Sequence, residues 1–189
     1  YAALHLGVPF IVVMLYGLQG WTPTILLRVY GWDLADAGRI YGILALITGS
    51  AGVLCGPVLS RFLLRRGVQD GPLRVAVLGA AMATLSLATL PFQVSGEMAL
   101  ISIGSASFFV TLPLALITTV MQEVTPNNMR GVVNGMYVVT TNVFGLALGP
   151  TLVALSTDYI FRDTMAVAKS LAFVALFVGP MAVFLLNLG

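Results

Sequence analysis

Six predominantly apolar stretches, each about 20 residues long and bounded by charges or turn formers, take up nearly the whole chain. They cover 4–27, 37–59, 73–90, 98–121, 131–156 and 165–186. The closing signals are Arg28 with the Tyr-Gly-Trp-Asp turn at 30–33, the basic segment Arg61, Arg65 and Arg66, Pro91, Glu123 with Thr-Pro-Asn-Asn at 125–128, and Asp158. A helix of roughly 20 residues crosses the roughly 30 Å hydrocarbon core of a bilayer. A backbone at that depth must satisfy its own hydrogen bonds, which a helix does without help. The spacing therefore predicts an all-α membrane protein of six transmembrane helices. Short loops make successive helices antiparallel neighbours.

Composition agrees. The 189 residues are 59% hydrophobic and 8% charged, with a mean hydropathy of +1.01, whereas soluble domains carry roughly a quarter charged residues. The net charge of +2 is small and the arginines form no single basic stripe, so no nucleic-acid partner is expected. Cys55 is the one cysteine and lies in an apolar run, so neither a disulfide framework nor a thiolate metal site is expected. The chain opens at Tyr1 without a basic segment and cleavage site, which reads as a cut within a longer protein lacking its N-terminal half here. Arg61, Arg65, Arg66 and Arg74 cluster around the loop between the second and third spans, and this clustering predicts a cytoplasmic N-terminus for the segment.

An internal repeat adds to this. The second span carries Gly42, Gly52, Gly56 and Pro57, and the fifth carries Gly135, Gly145, Gly149 and Pro150, all offset by 93 residues. Units of about 1–92 and 93–189 thus read as two copies of a three-helix element. An odd number of spans per copy makes the copies inverted, an arrangement common among secondary transporters. The small-xxx-small pairs Gly52/Gly56 and Gly145/Gly149 allow close helix approach, either as static packing or as a rocking seam. Each Gly-Pro pair predicts a bend, and Pro9 and Pro23 predict an irregular first helix.

Polar side chains mark the helices that line a cavity. Ser107, Thr111, Thr118 and Gln122 fall on one face of the fourth helix, and Asn134, Tyr137 and Thr141 on one face of the fifth. The first offers Tyr16, Gln19 and Gly20, with Trp21 and Thr22 close behind. Helices 1, 2, 4 and 5 are expected to line something, with an uncovered apolar face, and helices 3 and 6 to face lipid. For any one threonine, a bond back to its own helix carbonyl is the commoner role. Gln19, Gln122, Asn134 and Asn142 need other partners in hydrocarbon, and Asn142 is expected to bond between helices. No carboxylate is placed to carry protons across the midplane, and His5 and Glu123 sit near the inner ends.

Gly56-Pro-Val-Leu-Ser60-Arg61 through Arg65-Arg66 resembles the loop between the second and third helices of each half of the major facilitator superfamily. Ser60 stands where that pattern has Asp, which departs from the family's charge-relay gate. The segment Met129-Arg130-Gly131 through Asn142, Gly145, Gly149-Pro150-Thr151 and Thr157-Asp158-Tyr159 is similar to the family's eleventh helix, in spinster-like members above all. Trp21-Thr22-Pro23-Thr24 with Arg28 resembles the end of their seventh. The resemblance implies the C-terminal half of a twelve-helix carrier that moves a small organic, amphipathic or lipid-like solute by alternating access. Tyr16, Gln19, Trp21, Thr111, Thr118, Gln122, Asn134, Tyr137 and Thr141 would then face substrate. Gly56, Arg61, Arg65, Arg66, Arg130 and Asp158 would form motif and gate contacts. A channel-forming or other non-transport membrane subunit remains the alternative. A membrane enzyme finds no support, since His-Glu-x-x-His and Gly-x-Ser-x-Gly are absent.

Overall fold

A computed structural model describes residues 2–188, with side-chain surroundings from Leu6 onward apart from Glu123 and Val124. The side chains of His5 and Glu123 thus lie outside the described residues. The elements are α1 (Ala2–Tyr30), α2 (Leu34–Arg65), α3 (Gly71–Thr89), α4 (Gly96–Thr111), α5 (Leu114–Val124), α6 (Arg130–Asn142), α7 (Gly149–Leu155) and α8 (Val167–Asn187). They make six spans long and apolar enough to cross a bilayer, with α4 and α5 forming the fourth and α6 and α7 belonging to the fifth.

Three expectations about regularity change. The fourth span is interrupted at Leu112-Pro113, where proline supplies no N–H to the ladder. The predicted single polar face of that span is therefore divided between α4 and α5. The fifth span widens into π-turns at Val143–Leu148 and again at Ser156–Phe161, so it ends five residues beyond its expected limit. By contrast, α1 runs unbroken through Pro9 and Pro23. It is packed against α8, α4 and the fifth span, and such neighbours stabilise a proline-containing membrane helix. The expected irregularity in the first helix is not found.

The second helix also continues past its expected end at residue 59, so Arg61 and Arg65 stand on its last turns. It stops where Gly67 adopts φ 84°. The Gly67 N–H reaches the Leu64 carbonyl and the Val68 N–H reaches Leu63, at 3.0 and 3.1 Å. Those two bonds satisfy carbonyls that a helix end leaves open, and a left-handed glycine allows them at low steric cost.

In the packing, α1 and α4 lie next to each other, with α3 and α8 paired behind them. The second span packs on the fourth, and the fifth packs on the first. Exchanging spans 1 with 4, 2 with 5 and 3 with 6 leaves these principal contacts unchanged. Glycines set several of the close approaches: Gly79 meets the Phe109 carbonyl, Gly179 meets Thr84, and Gly7 meets Leu186. Burial is uneven. Only 11% of the second span's apolar window and 22% of the fifth's is buried, against 61% of the fourth's. Spans 3 and 6 each keep an apolar row exposed, Leu78 and Leu85 on one and Phe173, Phe177 and Phe184 on the other.

The chain's two ends of the bundle differ in charge. Leu59 and Leu63 of α2, Val75 of α3, and Leu112 and Leu116 cluster together. Around this cluster Arg61, Arg65, Arg66 and Arg74 lie at one end, where Arg130 also starts α6 and donates to the Thr125 carbonyl; this is called the Arg-rich end below. At the opposite end the Tyr30 hydroxyl donates to the Gln93 carbonyl at 3.2 Å. There the Gln93 amide donates to the Ser102 hydroxyl at 2.9 Å, and the Trp32 ring covers Gly96.

Candidate substrate path and inter-half face

Two seams hold the least buried spans in place. A side chain at Gly52 would strike the Phe108 carbonyl and the Thr111 hydroxyl, and one at Gly56 would strike the Leu112 carbonyl. The helices touch backbone to backbone there, which only a residue without Cβ permits. The Thr111 hydroxyl lies 2.9 Å from the Ser107 carbonyl, and 3.1 Å from that of Gly49 across the seam. A hydroxyl has one proton, so it serves one carbonyl at a time. Thr111 thus sits buried within the α2–α4 seam. In the second seam, Gly145 meets Val12 and Tyr16, and Gly149 comes within 2.8 Å of the Val13 carbonyl and 2.9 Å of the Gly17 nitrogen, measured from an added Cβ.

The polar residues singled out above fall into separate places and share no single pocket. Along the α1–fifth-span seam, the Tyr16 hydroxyl donates to the Asn142 side-chain oxygen at 3.4 Å, a long interhelical bond. The Trp21 indole donates to the Pro150 carbonyl at 2.9 Å. Gln19 and Gly20 are exposed beside them, with Gly20 against the Pro150 ring. Further along the fifth span, Thr141 is buried and donates to the Tyr137 carbonyl at 2.7 Å, while Tyr137 is half-buried.

A second group gathers at the Arg-rich end. Thr118, Gln122, Arg130 and Asn134 surround one narrow cleft with Met121, Thr125 and Val133. The Arg130 Nε donates to the Thr125 carbonyl at 3.2 Å, and Thr118 donates to the Ala115 carbonyl at 2.9 Å. Arg61, Arg65 and Arg66 are exposed, and the Arg66 guanidinium stacks 4.3 Å over the Phe62 ring. Asp158 is exposed in the widened turn at the far end of the same span as Arg130.

Sequence reasoning left two glycines out of the ladder. Gly38 and Gly131 keep the same 93-residue offset and extend the ladder to small-xxx-small pairs, Gly38/Gly42 and Gly131/Gly135. A Cβ on any of these four would meet nothing within 4 Å. The offset itself was the signal that could have found them. They lie at helix ends beside charged residues, where a glycine is readily taken for turn punctuation.

Six apolar spans, paired glycine seams and two sparsely covered helices define a polytopic all-α membrane protein. Residues 3–150 match the family model of the Major Facilitator Superfamily. The chain belongs to that superfamily. It is similar to an MFS-type efflux pump of Mycolicibacterium smegmatis, with 28% identity over 172 residues, covering 90% of this chain and 39% of that protein. It is also similar to an uncharacterized transporter, YybO, of Bacillus subtilis, with 25% identity over 150 residues, covering 78% of this chain and 33% of that protein. The chain thus spans between a third and two-fifths of these relatives' length.

Proposed function

We propose that this chain is the C-terminal half of a secondary carrier that moves a small organic solute by alternating access. The observation that carries the reading is the exposure of the second and fifth spans. Ile43, Leu46, Ile47 and Leu54 on one, with Val132, Met136, Val139 and Val143 on the other, are left uncovered. The same two spans hold the four bare glycines. A second six-helix half would cover these faces and leave α1 and α4 beside the path between the halves. The greater length of the relatives supports that partner.

In this reading the repeat units are about 1–92 and 93–189, inverted, and the seams at Gly52/Gly56 and Gly145/Gly149 hold each unit's second helix on the other unit. Gln19, Tyr16 and Trp21 meet solute along α1, and Tyr137 and Thr141 along the fifth span. Thr118, Gln122 and Asn134 meet it at the Arg-rich cleft, while Thr111 keeps the wall in place. Arg61, Arg65, Arg66, Arg130 and Asp158 contact the other half at the two gates, while Gly56, the motif glycine, keeps α2 close against the Leu112 carbonyl. The Arg-rich end faces the cytoplasm of a bacterial cell, following the bias of arginine toward cytoplasmic loops. The relative named an efflux pump supports outward movement. The Trp21-Thr22-Pro23-Thr24 segment and largely apolar walls favour an amphipathic, lipid-like solute of the spinster-like kind.

Reconstituting the full-length protein in liposomes, with fluorescent lysolipid and hydrophilic dye as paired probes, tests this reading. Saturable lysolipid flux, reduced at least severalfold by Gln19→Ala with Tyr137→Phe, is expected. Flux of both dyes without saturation would instead identify a channel.

A further inference from the structure

We infer that Tyr41 is a positioning residue for the transport step: its hydroxyl is an open latch that closes on Thr22 when α1 hinges at Pro23. The inference rests on the carrier reading above and names a contact that separates its two states.

Among the described residues, the Tyr41 hydroxyl is the buried side-chain polar group left without a hydrogen-bond partner. The residue is 8% exposed, and a hydroxyl removed from water is costly to leave unpaired. Its complement stands beside it. Thr22 is fully buried, and its hydroxyl borders that of Tyr41 without completing a bond. Thr22 donates its one proton to the Leu18 carbonyl at 2.6 Å. It therefore has lone pairs to offer, and Tyr41 has a free proton. Donor and acceptor face each other across a gap that a small shift would close.

The surrounding helices permit that shift. Pro23 follows Thr22 inside α1 and supplies no N–H, which leaves the Gln19 carbonyl without its ladder donor. Just before the proline, the Trp21 indole ties α1 to the Pro150 carbonyl of the fifth span. Beyond it, the last turn of α1 is joined tightly to α2. The Gly31 N–H reaches the Leu27 carbonyl at 3.2 Å and the Trp32 N–H that of Leu26 at 3.1 Å, with Gly31 at φ 67°. Thr22 thus moves with the fifth span and Tyr41 with α2, and the weakened turn of α1 lies between them.

The 93-residue offset supplies a comparison. It carries Tyr41 onto Asn134 and Thr22 onto Ala115, and Asn134 is exposed at the Arg-rich cleft. The corresponding positions hold no hydroxyl pair, so setting a second span beside a first does not depend on one.

The test is double electron–electron resonance on the full-length protein in liposomes. Cys55 is replaced by serine, and labels are placed at Val29 and Tyr159, both exposed and on different spans. Two distance populations are expected, with lysolipid changing their ratio. Tyr41→Phe and Thr22→Val should each remove one population and lower lysolipid flux severalfold. The double variant should lose no more than either single, because both delete the same bond. Thr22→Ser keeps the hydroxyl and should retain both populations. Tyr41→Phe removes only an unpaired oxygen, so its thermal unfolding should match that of the unaltered protein. Two populations that survive Tyr41→Phe, or single-variant effects that add, would overturn the latch and leave the carrier reading standing. One population in the unaltered protein would also overturn the latch, and absence of lysolipid flux from that protein would overturn the carrier reading with it.

Discussion

The second and fifth spans carry the same glycines and the same Gly-Pro pair, yet they fold differently. The second remains a continuous α-helix through Pro57. The fifth opens into a π-turn at Val143–Leu148, immediately before Gly149-Pro150. Their neighbours differ in the same way. Gly56 and Gly149 both lie against partner backbone, but Gly52 faces the Phe108 carbonyl and Thr111 hydroxyl whereas Gly145 faces the Val12 and Tyr16 side chains. A wide turn shifts the helix register by one residue, and here it does so where the larger Tyr16 ring must be passed. The shared glycine spacing thus accompanies the same choice of helix faces, while the opposing residues set the local geometry.

Substitutions can break this comparison. The largest effect is expected from Gly149→Leu and Gly56→Leu, which drive a side chain into a partner backbone. Overpacking costs about 1–3 kcal/mol, and more where backbone cannot yield. Both variants should lose most of the monodisperse peak in fluorescence-detected size-exclusion chromatography. The same change at the bare glycines, Gly42→Leu or Gly135→Leu, should leave that peak in place and lower solute flux, because only the face proposed to meet a second half is altered.

Pro150→Ala and Pro57→Ala come next. Restoring the N–H at residue 150 gives the ladder a donor where the wide turn now stands, so flux should fall more for Pro150→Ala than for Pro57→Ala. Equal effects in liposomes would remove the functional difference between the two spans. The smallest effect is expected from Thr111→Val, which deletes the bond to the Gly49 carbonyl. Interhelical bonds of this type contribute roughly 0.6 kcal/mol on average, so a shift of a few degrees or less in thermal unfolding is expected.

Much of the architecture was legible in the sequence because membrane depth leaves few choices. Span length, flanking arginines and the 93-residue glycine register are all read without knowing any contact. The interruptions were less legible. Pro9, Pro23, Pro57, Pro113 and Pro150 all lie within spans, and two of them accompany a break or widened turn. Which proline interrupts its helix depends on what packs around it, and sequence periodicity does not contain that. The same holds for the polar residues. Thr111 and Thr118 share a face only if the fourth span is continuous, and the break at Pro113 separates a seam residue from a cleft residue. Asn142 was legible, since an amide in hydrocarbon needs a partner and Tyr16 supplies it.

Alternating engagement of the two bare glycine pairs is the most direct consequence of the proposed carrier. Gly38 and Gly131 lie toward opposite ends of the bundle, so a rocking partner half would cover one pair while uncovering the other. Cys55 is exposed and would first be replaced by serine. Single Gly38→Cys and Gly131→Cys variants of the full-length protein would then be labelled with an impermeant maleimide, with and without solute. The account predicts opposite changes, one position gaining reactivity as the other loses it. Reactivity at both positions that is constant, or that rises and falls together, would contradict alternating access.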